Sequence, residues 1–485
     1  MLRRLAEDEE TYGEVAREAA LVTNQMDYLG RDFLQALREA SEVTPSPLLS
    51  DFFSDLLSIV ESGGSVDSFL ADQREDAIQD ARSVQAEYLE RVELFAEVYV
   101  TLLIAGPLFV LILLMVIGIT GTSTLREVNA IVYVGIPLGS TLAILVLDQL
   151  GAPFRQRTLA ATEPILEPPT VPDDQAAKAY AKRKRRAQLL DTLTHPWRLF
   201  LDRPPHVLTL SVPLAAAVVG ALVAGDLASV GLSALFDTPL RTTVLLIVVP
   251  LFVALVPLAA FQELRQRRLD TIRRRFPNVL SSWASANRMG LRPSEALRLA
   301  SERADTALSA EMRRVNDETE WFDDLRGALL RLARRSRTRI VTRTLRLIVE
   351  ADEASGNLDE TLSVAAEDAR MQRELERART RELSSYVVAA LVSFFVYLAI
   401  LLLINEFYFE QAVAVGQQAT TDAELPVSLQ SIDTAGFKLA FIHSSLVQAL
   451  FIGLVAGKLS SGRVLAGLKY SLGLMIVTVV AFGVV

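Results

Sequence analysis

Seven stretches of about 20 mostly apolar residues, separated by charged segments, constrain this chain more than any other feature of its sequence. They lie at roughly 96–118, 129–148, 206–226, 240–261, 385–405, 436–457 and 464–485. A helix of about 20 apolar residues spans the hydrocarbon core of a bilayer, where every backbone polar group has to be satisfied internally. The chain is therefore predicted to be an all-α polytopic membrane protein with about seven transmembrane helices. The third stretch is the least sharply bounded, because it can extend into 227–235. Of the 485 residues, 51% are hydrophobic and 22% are charged, the mixture expected when membrane and water-facing blocks alternate.

The connecting segments set the orientation. Arg155, Arg157, Lys178 and the run Lys182 to Arg186 follow the second stretch, and Arg265, Arg267, Arg268 and Arg273 to Arg275 follow the fourth. Lys458 and Arg463 lie between the sixth and seventh. On the other side, 119–128 holds Arg126 alone, and neither 227–239 nor the acidic loop 407–436 contains a base. The positive-inside rule then places the N-terminus in the cytoplasm of a cell-membrane protein and the C-terminus outside. Met1 to Arg91 has no apolar signal core, so this first block is expected to stay inside.

The chain reads as charged units alternating with spans: a helical domain at 1–95, spans at 96–148, a basic loop at 149–205, spans at 206–261, a second helical domain at 262–384 and spans at 385–485. The two helical domains are related in sequence. Glu61, Gly64, Asp67 and Leu70 recur 292 positions later as Glu353, Gly356, Asp359 and Leu362. Ala36 and Leu37 recur as Ala328 and Leu329, and Glu75, Asp76, Ala77 as Glu367, Asp368, Ala369. Further upstream, Val15, Glu18 and Val22 match Leu308, Glu311 and Val315 at a shift of 293, which requires a one-residue length change near Gly30.

The second copy is the fuller one. Phe276, Val279, Leu280 and Trp283 recur at helical spacing, with Pro277 placed as at a helix start. Gly290 and Pro293 break the chain, Ser294 to Leu299 opens another amphipathic helix whose period Leu308, Met312 and Val315 continue, and two further helices are expected near 323–333 and 338–354, the last ended by Ser355 and Gly356. No strand-like alternation occurs, so each copy should be a small helical bundle. The first copy has no counterpart of the Phe276 to Trp283 helix: either its bundle is smaller, or the true start lies upstream of Met1.

The copies also differ in charge. Residues 1–95 hold 8 basic and 21 acidic side chains, net −13, whereas 262–384 hold 25 and 21, net +4. Arg339, Arg343 and Arg346 fall on one helical stripe, and their counterparts are Pro47, Asp51 and Ser54. That stripe reads either as a docking surface for an acidic partner or as an ordinary solvated face. Only six of the 49 basic residues are lysine and the net charge is −9. A salt-loving archaeal source and a GC-rich genome both account for that bias.

Several chemistries are excluded. The chain has no cysteine, and His195, His206 and His443 are far apart, which removes thiolate metal sites and disulfides. There is no GxxxxGK[ST] phosphate loop, GxSxG or HExxH; Gly453 to Leu459 has the wrong spacing, and Gly453 and Gly457 read instead as a close helix-packing face. No enzyme and no cofactor is expected. His443, with Ser444 and Ser445, is the one polar cluster at membrane depth, and it reads as a neutral histidine bonded to a neighbouring helix more readily than as part of a proton path. Asp148, Asp226 and Glu406 fall at span ends, and Lys469 can snorkel to the cytoplasmic surface. Pro107, Pro137, Pro213, Pro250 and Pro257 loosen helices whose freed carbonyls neighbouring helices can satisfy, or mark moving parts.

The ordered set Phe276, Pro277, Leu280, Trp283, Gly290, Glu295, Ala328, Gly356, Leu358 and Leu362, followed by a long apolar helix and echoed in the first copy around Gly64, resembles the type II secretion system F family. The resemblance is strong over about 140 residues and weaker over the first 105. It implies a membrane platform for type IV pilus-like filaments, with an archaeal membrane layout, two family domains and additional spans. It further implies a hexameric secretion ATPase, pilin-like subunits, the lipid bilayer and a second copy in a dimer as partners, without nucleic acid. Arg273, Arg274, Arg275, Arg339, Arg343 and Arg346 are the expected ATPase-docking residues. The competing reading is a transporter or channel with cytoplasmic regulatory helices, which would need a polar path through the bilayer.

Overall fold

A computed structural model describes residues 2–7, 9–119, 124–152, 197, 200–201, 203–226, 236, 238–302, 306–336, 338–355, 358–408 and 434–484. Outside these fall Arg155 to Arg186, His195, the segment 227–235, most of the acidic loop and Gly356. Among the described residues every regular element is helical. Seven helices are long and apolar enough to cross a membrane: Val66–Gly118, Leu125–Leu150, Pro204–Ala224, Pro239–Arg288, Glu360–Phe407, Thr434–Ser461 and Val464–Val484. The protein is an all-α, multi-pass membrane protein with the span number read from its sequence, and these helices are called spans one to seven below.

The chain divides into two compact units, one holding residues of both repeat copies and the other the spans. Within the first unit, the second copy packs Phe276, Leu280 and Trp283 against Leu297, Leu308, Met312, Leu345 and Leu362. The helices are Pro293–Glu302, Thr306–Phe322, Leu325–Ser336 and Arg339–Ser355; the last two lie close to those expected, and the period read from Ser294 to Val315 is carried by two helices. Gly290 turns the chain with φ +83°, and the Trp283 indole N–H donates to the Pro293 carbonyl at 3.0 Å across that turn. Pro277 departs from expectation. It lies inside one continuous helix, Val249–Arg288, rather than at a helix start. The preceding membrane segment has already nucleated this helix, so propagation through the proline forfeits one backbone bond without ending it.

The first copy is built from Glu14–Leu29, Phe33–Val43 and Pro47–Glu61 around Val22, Ala36, Leu37 and Phe53. Several aligned positions keep their burial: Val22 and Val315 are both fully buried, as are Ala36 and Ala328. Others are less enclosed in the first copy: Val15 is 43% exposed where its counterpart Leu308 is 1%, Ala77 is exposed where Ala369 is buried, and Leu70 is half-buried where Leu362 is buried. Gly63 rather than Gly64 takes the left-handed conformation after Pro47–Glu61, with φ +72°. The one-residue length change falls at Arg31. Gly30 and Asp323 align with φ +64° and +48°, and the next aligned pair, Asp32 and Asp324, cap the following helices by accepting from Gln35 N–H (2.7 Å) and Gly327 N–H (2.8 Å).

Within the second unit the helices widen at defined places. Val100–Ala105, Ile131–Gly135 and Val244–Val248 are π-helical, and each ends two residues before a proline: Pro107, Pro137 and Pro250. A proline ring clashes with the carbonyl four residues back and supplies no N–H, and a wider turn relieves the clash.

Candidate functional site: paired stem helices and the polar hub

Each repeat copy ends in a helix that continues without a break toward the next span, and Val66–Tyr99 and Leu358–Leu403 begin at equivalent positions, 292 apart. The two helices pair in parallel and nearly in register. Arg74 meets Glu367, the equivalent of Glu75, at 3.2 Å. Gln85 Nε2 donates to the Leu375 carbonyl at 3.2 Å, where Leu375 is the equivalent of Ser83. In the membrane unit Tyr386, the equivalent of Leu94, lies close to Glu93. An antiparallel pair would reverse this order, so the duplication has produced two side-by-side stems. Tyr12 Oη also donates to Glu350 Oε2 at 3.1 Å, a further tie between the copies.

The arginines singled out from the sequence are not equivalent in the structure. Arg274, Arg275 and Arg343 are exposed and Arg273 is half-buried, whereas Arg346 is only 6% exposed. The side chain of Arg339 lies outside the described residues. The stripe at 339, 343 and 346 is therefore not one solvent-facing row, because helical spacing places Arg346 beside buried Leu345 and Val349. Among the family-motif positions, Phe276, Pro277, Leu280 and Leu358 are buried, while Gly290, Glu295 and Gly64 are exposed.

Sequence reasoning missed a charged network inside the second copy. Arg335 contacts Glu311 (Nε to Oε2, 3.2 Å) and Glu318 (Nη1 to Oε1, 2.7 Å), and Arg331 Nε contacts Glu318 Oε2 at 2.7 Å. The signal was present as two acids seven apart on one helix and two arginines four apart on the next. Their partly buried pairing couples Thr306–Phe322 to Leu325–Ser336.

The membrane unit is organised around span six, whose apolar window is 72% buried, against 11–44% for the others. Its polar side chains reach four neighbouring spans. Gln448 Nε2 donates to the Leu103 carbonyl of span one at 2.7 Å. His443 uses both ring nitrogens, Nδ1 with the Tyr133 hydroxyl of span two and Nε2 with Thr243 Oγ1 of span four at 2.9 Å. Ser444 is hydrogen-bonded to Tyr397 of span five, and Lys458 forms an ion pair with Asp148 of span two. On the remaining side, Ser471 of span seven donates to the Leu450 carbonyl at 2.7 Å.

Spans six and seven approach so closely that an added Cβ at Gly453 would sit 2.2 Å from Ser471 N, and one at Gly457 2.0 Å from Gly467 N. The glycine pair is thus a packing face, as read from its spacing. His443, with both nitrogens engaged by neighbouring spans, holds helices together. Lys469 reaches Glu263 at 3.1 Å, and Glu263 also accepts from Arg267 at 2.9 Å, so the span ends are tied by ion pairs.

Comparison with known proteins follows the two repeat copies. Residues 1–114 and 279–405 match the family model described as type II secretion system (T2SS), protein F. The flagella accessory protein J of Methanocaldococcus jannaschii is similar, with 28% identity over 101 residues, or 21% of this chain. That stretch covers only 18% of the relative's own length. No solved structure matches.

Proposed function

The chain belongs to the type II secretion system protein F family, and on that premise we propose that it is the non-enzymatic membrane platform of a type IV pilus-like assembly machine. The observation that carries this reading is the duplication of one mechanical element: a helical bundle whose last helix continues unbroken toward a span, present twice and paired in parallel. In this reading a hexameric secretion ATPase docks on the cytoplasmic bundles, and its nucleotide-driven movement passes along the paired stems to the spans. The spans then lift or release pilin-like subunits. The name of the archaeal relative favours an archaellum-type filament within that class.

The basic residues of the connecting segments, by the positive-inside rule, put the N-terminus in the cytoplasm and the C-terminus outside in this reading. The absence of native cysteine makes this directly testable: Ser68→Cys should react with an impermeant maleimide only after the membrane is opened, and Glu127→Cys in intact cells. Docking falls to the exposed Arg274, Arg275 and Arg343, with Arg273 at their edge; buried Arg346 acts through the fold of its helix. Reversing the three exposed charges should abolish both co-purification of the ATPase and filament formation. If both persist, the docking surface is elsewhere; substrate flux by the purified protein alone in vesicles would overturn the platform reading in favour of a transporter.

A further inference from the structure

The repeat retains one feature that neither packing nor the stems require. Glu14–Leu29 ends in Tyr28 and Leu29, and Thr306–Phe322, its counterpart, ends in Trp321 and Phe322. All four side chains stand in solvent: Tyr28 is 83% exposed, Leu29 66%, Trp321 84% and Phe322 71%. Single exposed apolar residues are ordinary on a protein surface. A pair of the same character at the same aligned position, in copies whose net charges have moved apart, is not.

The chain also holds each pair out in the same way. A left-handed residue, Gly30 or Asp323, follows at once, and the next aspartate, Asp32 or Asp324, caps the following helix. In the second copy the Arg331 guanidinium lies 5.9 Å from the centre of the Phe322 ring. The aromatic tips are therefore presented on fixed turns, which lowers the ordering entropy that a binding event has to overcome. Acids border both tips. Asp27 and Glu320 directly precede the aromatic residues, and Asp32 and Asp323 lie just beyond, all four exposed. Two bases also lie at the first tip, Arg3 paired with Asp27 at 2.6 Å and Arg31 paired with Glu39, which leaves Asp32 as its acid without an ion pair to them.

We infer that Tyr28–Leu29 and Trp321–Phe322 are two copies of one docking element for a protein that offers the same apolar, base-rimmed pocket more than once. Aromatic side chains dominate the binding energy of protein interfaces, and the acidic borders select a basic rim over an anionic membrane surface. A ring of identical subunits supplies repeated pockets. The inference thus rests on the proposed platform reading and assigns to its ATPase ring a contact distinct from the arginines.

The test uses the full chain in nanodiscs and the purified assembly ATPase, with the double variants Tyr28→Ser/Leu29→Ser and Trp321→Ser/Phe322→Ser and the two combined. The expected result is a loss of affinity of about tenfold or more for each double variant and no detectable binding for the combination, with unchanged melting temperature. If the wild type binds and all variants bind equally, the tips are not docking elements and the platform reading stands. If the wild type does not bind, the platform reading falls and this inference falls with it. Two further measurements on the chain alone identify other occupants, and either would overturn the inference. One is a change in oligomeric mass on mutating the tips, which assigns them to a second copy. The other is quenching by brominated lipid of the emission that Trp321→Ser removes, which assigns them to the bilayer.

Discussion

Gln448 of span six donates to the carbonyl of Leu103 in span one, the acceptor that Pro107, four residues on, leaves without its helical partner. The bond is a local consequence of a proline satisfied by a distant residue, as membrane-embedded backbone demands. Replacing Gln448 with leucine should destabilise the protein by about 1–3 kcal/mol, since a buried carbonyl loses its donor. Pro107→Ala restores the intrahelical donor, so the same substitution in that background should cost clearly less. Unfolding measured for the four proteins of this cycle checks the coupling; equal costs in both backgrounds would show that the two residues act independently.

Gly453→Ala and Gly457→Ala should each force spans six and seven apart, with a loss of about 1–3 kcal/mol, because the added methyl meets backbone atoms that cannot rotate away. Gly473→Ala is the control. A methyl there has nothing within 4 Å, so the change should be neutral or stabilising by up to about 1 kcal/mol. Melting temperatures in detergent would separate the two classes.

His443→Gln retains hydrogen-bonding groups between Tyr133 and Thr243, whereas His443→Leu removes them. If the histidine joins spans two, four and six, the glutamine protein should assemble filaments at close to the normal level and the leucine protein should not. Filament counts that fall equally in both variants would point instead to a need for an imidazole that exchanges protons.

Asp323 holds φ at +48°, a conformation that glycine adopts freely. Asp323→Gly should raise stability by about 0.5–1 kcal/mol, and Asp323→Val should lower it by at least that much. The comparison is a thermal melt of the two proteins, and the aligned Gly30→Val should repeat the loss.

Much of this architecture is legible in the sequence because it depends on local pattern. Apolar windows locate all seven spans, and the 3.6-residue period of Phe276, Leu280 and Trp283 finds a buried face. The 292-residue repeat identifies two related units that each run into a span, and even the one-residue slip near Gly30 is visible as a change of shift. What escaped depends on partners far away in the chain. Pro277 reads as a helix start because proline favours first turns, yet the helix arrives already formed from span four. Arg346 reads as a surface residue from its neighbours in the stripe, while tertiary packing encloses it. The Arg331, Arg335, Glu311 and Glu318 network, and the partners of His443, Ser444 and Gln448, required knowing which helices lie side by side.

Span six has consequences for how the protein is made. Its most apolar window averages a hydropathy of 1.9, against 2.9 for spans one and four and 3.0 for span five. Synthesis runs from the N-terminus, so the Leu103 carbonyl, Tyr133, Thr243 and Tyr397 are all in the membrane before Gln448, His443 and Ser444 emerge. Span six therefore arrives after four of the five spans it bonds to and enters a cleft already lined with hydrogen-bonding groups. A chain interrupted before residue 434 would leave five spans with those groups facing lipid, which makes the stretch from residue 434 onward the step at which the membrane unit becomes complete.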